Sequence, residues 1–165
     1  MSRTKIIPDA EVFAIIRQLL AEGGDKAISF GAIARAAKLA PSTLAQRFGT
    51  VAAMRTAALH HGWEDLSAIT SDAIAATAGK GPQGLLKALD TVAVPVANLL
   101  RSAADDTSRT LAADWRQMVE TALAQRIGQG EKSRESANIL FAAWQGQLLW
   151  GGESFRLKDA VKRLT

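Results

Sequence analysis

The sequence predicts an all-α fold, with three short helices at the N-terminus followed by longer ones. Apolar residues recur with helical spacing along every long segment, and no alternating, strand-like run exceeds a few residues. Proline and glycine stand where these segments begin and end. The sequence contains no internal repeat.

The first three helices are delimited by capping and breaking residues. One helix is predicted from about Asp9 to Glu22, where a Gly-Gly pair follows. Ser29 is a suitable N-cap for a second helix over Phe30 to Ala37. Pro41 suits the first turn of a third helix ending at Gly49, because the first turn needs no proline N–H.

The remaining helices are longer. Thr50 caps a helix predicted from Val51 into the region of Ala75, and "AGKGPQG" ends it. Pro82 begins the next helix, in which a kink or break is predicted near Ala93–Pro95. Three more helices are predicted, one carrying Leu111 to Ala122, one from Ser136 to Trp150 that "GGES" ends, and a final one carrying Phe155, Val161 and Leu164. Between the first two of these, "GQGEKSRES" is predicted to be a surface loop.

Composition restricts the class of protein. Apolar residues make up 48% and charged residues 22%, as expected of a globular chain. The sequence has no cysteine, which excludes disulfides and thiolate metal sites. It also lacks 18 consecutive apolar residues and the apolar core of a signal peptide near its start, so we expect a cytoplasmic protein without a membrane span.

Positive charge is concentrated in the first third of the chain. Residues 1–62 contain eight Lys/Arg and four acids, whereas residues 63–165 contain twelve of each. Such segregation favours a polyanionic partner, although a chance imbalance on a solvated surface has the same composition.

The stretch "ISFGAIARAAKLAPSTLAQRFG" (residues 28–49) has the pattern of a helix-turn-helix. Apolar residues, namely Ile33, Leu39, Leu44 and Phe48, are expected to anchor the second helix on the core. Ser42, Thr43, Gln46 and Arg47 would then face outward, where Gln can pair with adenine and Arg with guanine or phosphate. Ser29 and the N–H groups behind it can hold a phosphate. Helical hairpins that bind no DNA share this bare pattern.

At these residues the sequence resembles the tetracycline-repressor (TetR) family of bacterial transcription regulators. The family pattern "IA..AG", then "S..TLY..F", then a long helix is matched by "ISFGAIARAAKLAPSTLAQRFGTVAAM". The resemblance is specific over about Val12 to Leu59 and implies a DNA-binding domain at 1–50 and a ligand-binding and dimerisation domain at 51–165. It implies a homodimeric, ligand-responsive regulator, most simply a repressor, that binds double-stranded operator DNA. The DNA-contacting candidates are Ser29, Gly31, Lys38, Pro41, Ser42, Thr43, Gln46 and Arg47.

Three positions depart from the family pattern. Ala45 replaces a tyrosine and Val51 a lysine, both of which usually help to hold the DNA backbone. Lys38 replaces the glycine of the turn, so we expect a strained left-handed conformation there. Lys38, Arg47 and Arg55 can compensate for the lost contacts. The alternative is a TetR-like helical binding protein that has lost DNA binding.

A small helical enzyme is the third possibility and has the least support. The two histidines, His60 and His61, are adjacent on one helix and point in different directions. His61 and Asp65 can share a metal, but two ligands from one turn do not make a site. Since no phosphate loop or nucleophile motif is visible, we predict no catalytic residue, metal or cofactor.

The tryptophans lie on apolar helical stripes, which usually means core. They can also wall a hydrophobic cavity. On that hypothesis an apolar or aromatic effector is held by Trp63, Trp115, Met118, Trp144 and Gln147, with Gln145 or Gln147 fixing its orientation.

Two apolar stripes near the C-terminus predict a symmetric homodimer. They are formed by Leu140, Trp144 and Leu148 and by Phe155, Val161 and Leu164. Two-fold pairing is the usual way to bury such stripes. The alternative is that they complete the core of a single chain.

Overall fold

The computed structural model describes residues 7–102, 105–150 and 156–164, which form nine α-helices and no β-strand. The helices are α1 (Asp9–Gly23), α2 (Phe30–Ala37), α3 (Pro41–Phe48), α4 (Val51–Ala76), α5 (Pro82–Leu89), α6 (Ala93–Ser102), α7 (Asp106–Ile127), α8 (Glu131–Trp150) and α9 (Leu157–Leu164). Short 3-10 turns lie at Asp25–Ala27 and Asp90–Val92. The all-α prediction is confirmed.

The predicted caps of the N-terminal helices are present. The Ser29 hydroxyl accepts a hydrogen bond from the Ala32 N–H at 3.1 Å, and the Thr50 hydroxyl accepts one from the Ala53 N–H at 3.0 Å. Pro41 occupies the first turn of α3. These caps satisfy N–H groups that lack a partner at a helix start, so α2 and α4 begin where the sequence indicated.

The predicted break beside Pro95 lies slightly earlier in the chain. Helix α5 ends at Leu89, and the 3-10 turn Asp90–Val92 leads directly into α6. Pro95 has no N–H, and in a continuous helix its ring would clash with the carbonyl of Thr91. The α-helical hydrogen-bonding pattern is therefore interrupted in the turn before Pro95, and Pro95 itself lies in the first turn of α6.

Helix α8 begins five residues before the predicted Ser136, so the predicted loop over 128–136 was wrong beyond Gly130. Gly130 adopts a φ of 94°, and α8 follows at Glu131, whose charge suits a helix N-terminus. Ser133 and Ser136 are buried, and the Ser133 hydroxyl donates to the Gln129 carbonyl. The polar composition of this stretch predicted a loop. The stretch is helical instead, with both serines on the buried side of α8. The predicted helix end at residues 151–154 lies outside the described residues.

Buried apolar residues form one continuous cluster from Ile7 to Val161. Helix α4 contributes to it and packs against α1, α3, α6 and α7. The proposed division at residue 50 stays a prediction.

The two C-terminal stripes are core residues of the single chain. Leu140, Trp144 and Val161 are 0%, 1% and 8% exposed, and Leu148 and Leu164 are half-buried against the same cluster. Phe155 lies outside the described residues. For Leu140, Trp144 and Val161 the predicted dimer interface was wrong, because these side chains are buried within the single chain, where α8 packs against α7 and α9.

Candidate nucleic-acid interface and ligand cleft

The turn between α2 and α3 has a left-handed residue at Lys38. Its φ and ψ are 55° and 42°, as the replaced glycine predicted. The Leu39 N–H bonds the Ala34 carbonyl at 2.9 Å and the Lys38 N–H bonds the Arg35 carbonyl at 3.4 Å. This pair of bonds is a Schellman motif, which ends α2 and directs the chain into α3. The Lys38 side chain is exposed at the turn.

Helix α3 presents a polar face and buries an apolar one. Leu44 is fully buried, and Leu39 and Phe48 pack against the same cluster, as predicted. The Phe48 ring lies 5.6 Å from that of Phe13 on α1. Ser42 and Gln46 are exposed on the opposite side. Their hydrogen-bonding groups are therefore available to a partner along one line of the helix.

The other candidate DNA contacts, at the start of α2 and on α3, differ in exposure. Ser29, Gly31 and Pro41 are exposed, whereas Thr43 is half-buried. Ser29 and Gly31 lie at the start of α2, where the hydroxyl of Ser29 already caps the helix. The space around Gly31 is open, so its backbone can be approached closely.

Arg47 is held against the start of α1. Its guanidinium donates to the Ile7 carbonyl at 3.0 Å, forms an ion pair with Asp9 and lies 5.5 Å from the centre of the Phe48 ring. The side chain is 26% exposed. Arg47 therefore ties α3 to α1 in this structure, and its role as a DNA contact stays a prediction.

Two further arginines of the basic third are paired with acids. Arg17 donates to Asp65 at 2.8 Å and to the Ala58 carbonyl at 3.2 Å. Arg55, suggested above as a compensating DNA contact, donates to Asp25 at 2.7 Å and to the Ser102 carbonyl at 3.1 Å. Its side chain is 18% exposed, so Arg55 joins α4 to the end of α6.

Unpaired positive charge remains next to α3. Among the described residues Lys26, Arg35 and Lys38 are exposed and form no ion pair. Arg35 and Lys38 lie at the end of α2 and in the turn, beside the exposed face of α3. No acidic residue occurs between Asp25 and Glu64, so this surface carries no opposing charge from its own helices.

Three tryptophans form a packed cluster. Trp63, Trp115 and Trp144 are at most 2% exposed. Phe141 stacks on Trp144 at 5.9 Å, and the ring of Trp115 lies 5.8–6.5 Å from those of Trp63, Phe141 and Trp144 in tilted orientations. Such tilted contacts are favourable between aromatic rings. The indole N–H of Trp115 donates to the hydroxyl of Thr70 at 2.8 Å. The packing supports the interpretation of these tryptophans as core.

The other predicted ligand contacts lie apart from this cluster. Met118 is half-buried and lines a separate shallow cleft together with Gln117 and Gln125. Gln145 and Gln147 are half-buried on α8. The structure therefore brings together the three tryptophans, whereas the cleft that Met118 lines includes neither a tryptophan nor Gln147.

A cleft of about 720 Å³ lies elsewhere, between α1, α4 and α6. None of the tryptophans lines it. Two residues of the sequence indicate this place. Gly62, in the middle of α4, indicated a close approach of another element, and Pro95 indicated a change of chain direction beside it.

Each histidine is bound to an aspartate. His60 Nε2 lies 3.0 Å from Asp105, and His61 Nδ1 lies 3.0 Å from Asp65. Asp105 caps α7 by accepting the Ser108 N–H at 2.8 Å. The N–H of Ser108, followed by the His60 ring, holds the pKa of the Asp105 carboxyl well below its usual range. The described residues contain no cluster of three or more side chains suited to a metal.

Comparison with known proteins identifies the fold. No family model matches the sequence, and neither does any curated protein. E. coli NemR, solved in its reduced form, superposes with a TM-score of 0.69 at 15% identity, covering 96% of each chain. The transcriptional regulator SCO7518 of Streptomyces coelicolor A3(2) gives 0.63 at 16% identity, covering 95% of this chain and 96% of its own.

A TetR-like transcriptional regulator of Rhodococcus sp. RHA1 gives a TM-score of 0.60 at 15% identity, covering 96% of this chain and 94% of its own. The chain thus has the fold of TetR-like transcriptional regulators over nearly its whole length. Within the described residues no helix is both long and apolar enough to cross a membrane.

Proposed function

We propose that this protein is a ligand-responsive, DNA-binding transcription regulator, acting in the cytoplasm and most simply as a repressor. The observation that carries the proposal is the face of α3. Ser42 and Gln46 are exposed there, beside Lys38 and Arg35, whose charges no acid of the described residues neutralises. A short helix of this kind fits the major groove, and the flanking cations suit phosphates.

DNA binding is best tested by selecting duplexes from a random library and measuring affinity at several salt concentrations. Gln46→Ala should relax base preference, at a cost of roughly 1–3 kcal/mol on the selected site. Lys38→Ala should weaken binding to all sequences and reduce the salt slope by about one. Gln83→Ala, an exposed glutamine on α5, is the matched control and should bind like wild type.

The alternative is a helical binding protein without DNA binding, and specific residues favour it. Val51 is half-buried against the core, and Ala45 is a small side chain on α3, so neither supplies a phosphate contact. Arg47 and Arg55, which were candidates to compensate, are both paired with acids. If no duplex from the library is retained even at low salt, the regulator proposal is wrong and this alternative is supported.

We further propose a two-fold dimer formed through the outer face of α8. Ile139 is 54% exposed and Trp150 is 88% exposed, and Ala142 and Gly146 lie between them on the same stripe. Nothing lies within 4 Å of a Cβ placed on Gly146. Small residues between two large apolar ones let a second helix approach closely. A symmetric dimer would set two α3 helices about 34 Å apart, one turn of DNA.

A further inference from the structure

We propose that the cleft between α1, α4 and α6 binds a small, neutral, largely apolar molecule, and that its occupancy changes DNA affinity. This inference rests on the proposed function and places the effector away from the tryptophan cluster. Four features of the cleft support it: its size, its lining, its charge and its position.

Size and lining suit a small organic molecule. The cleft measures about 720 Å³, within the usual range for ligand pockets. Buried Leu59, Leu66 and Leu99 line it, and at its edge lie Ile69 and Val94, which are 53% and 69% exposed. An apolar ligand would cover these two side chains, which are among the most exposed large apolar residues of the described chain.

Charge in the cleft favours a neutral ligand. Its lining contains two ionisable side chains, Arg17 and Asp65, and these form an ion pair with each other at 2.8 Å. The other polar side chains of the lining are neutral, namely those of Gln18, Thr91, Asn98 and Ser102. A charged ligand would lose hydration without gaining an unpaired opposite charge. A neutral one can use these groups for a few hydrogen bonds.

Position connects the cleft to the DNA-binding helices. At Gly62 three helices meet, since a Cβ placed there would lie 2.8 Å from both Arg17 Cδ of α1 and Leu99 Cδ2 of α6. Helix α1 packs against α2, and Arg47 ties α1 to α3. A molecule wedged beside Gly62 would therefore shift α1 against α4 and move α3 with it. Such a ligand binds the shifted arrangement of α1 and α4 with a different affinity from the unshifted one, and regulation requires this difference.

Binding can be measured with N-phenyl-1-naphthylamine, a neutral fluorophore that brightens in apolar surroundings. We expect one saturable site per chain on the full-length protein. Ala68→Trp places a bulky ring in the cleft from an exposed position and should weaken this binding by about tenfold or more. Ala75→Trp makes the same change at an exposed position of α4 outside the cleft and should bind like wild type. An anionic naphthalenesulfonate analogue should bind more weakly than the neutral probe.

The regulatory part is tested on a duplex selected by the wild-type protein. Saturating probe should change DNA affinity by roughly fivefold or more, and Ala68→Trp should bind the duplex without responding to the probe. Unaltered probe binding by Ala68→Trp overturns the proposed site, and so does the absence of saturable binding to a protein that binds DNA. Saturable binding that leaves DNA affinity unchanged overturns the coupling. A protein that binds the probe in the cleft but no duplex refutes the proposed function and leaves the site in place.

Discussion

Lys38 occupies a backbone conformation that glycine adopts more readily. A left-handed residue with a Cβ costs roughly 1–2 kcal/mol, and the described residues contain no other non-glycine residue with positive φ. The turn nevertheless keeps a lysine, whose side chain is exposed beside α3. On the proposed function, a charge that serves DNA binding is retained at a cost in folding stability.

Replacing this lysine should separate stability from DNA affinity. Lys38→Gly should raise the free energy of unfolding by about 0.5–1 kcal/mol, because relief of the left-handed strain exceeds the entropy that glycine adds to the unfolded chain. The same variant should bind DNA more weakly. Lys38→Ala is the matched control, since it removes the charge but keeps the strain. Urea denaturation of both variants checks the prediction, and equal stability of the two would contradict it.

Arg47 should contribute to stability through its contacts with α1. Arg47→Ala removes the hydrogen bond to the Ile7 carbonyl and the partly exposed ion pair with Asp9, so we expect a loss of about 1 kcal/mol. A double-mutant cycle with Asp9→Ala should show a coupling energy of a few tenths of a kcal/mol. A side chain that contacts only DNA would give no coupling and no loss of stability.

At the level of helices, the start of α7 has a pH-dependent cap. Asp105 accepts hydrogen bonds from the N–H and hydroxyl of Ser108 and lies 3.0 Å from His60 of α4. These contacts favour the ionised carboxylate and hold its pKa below the usual value of 3.8. The cap thus joins α4 to α7 through a group whose charge depends on acidity.

Loss of this charge should lower stability in a defined pH range. The pKa of Asp105 is lower in the folded than in the unfolded chain. The ionised carboxylate therefore contributes to the free energy of unfolding above about pH 4, and this contribution declines as the pH falls further. Asp105→Asn keeps a capping oxygen but no charge, so at pH 7 it should be less stable by up to about 1 kcal/mol. Thermal melts between pH 7 and pH 3 should show the two proteins converging in acid. A constant difference would contradict the assignment.

Helix ends were predictable wherever one residue fixes them. Ser29, Thr50 and Pro41 begin helices for reasons that depend on their own backbone chemistry, so the sequence was sufficient. The start of α8 was not predictable in this way, because the burial of Ser133 and Ser136 depends on the packing of α8 within the fold.

The candidate sites were likewise predictable where the local sequence determines them, and not where distant residues meet. The exposed face of α3 followed from helical spacing, whereas the pairing of Arg47 with Asp9 joins residues 38 positions apart. The cleft likewise requires three helices to meet at Gly62, and although a glycine there indicated a close approach, the local sequence does not show which helices approach.

For the whole molecule, the stripe of exposed apolar residues on α8 should decide the oligomeric state. Ile139→Asp places a charge at one end of the proposed interface and should convert a dimer into a monomer at micromolar concentration, with weaker DNA binding. Leu100→Asp is the matched control, because Leu100 is an exposed apolar residue (46%) that lies on α6 and does not line the cleft. Sedimentation velocity measures both variants. A wild-type monomer at this concentration would refute the dimer.

The continuous core from Ile7 to Val161 also affects how the protein unfolds. Helix α4 contributes Leu59 to the side of this core that faces α1, and it contributes Trp63, whose ring lies 6.3 Å from that of Trp115 on α7. Neither half of the chain can therefore lose its packing without exposing apolar surface of the other. We expect a single cooperative transition rather than separate melting of an N-terminal and a C-terminal unit. A fragment ending at residue 50 would lack the partner of α1 and should remain largely unstructured.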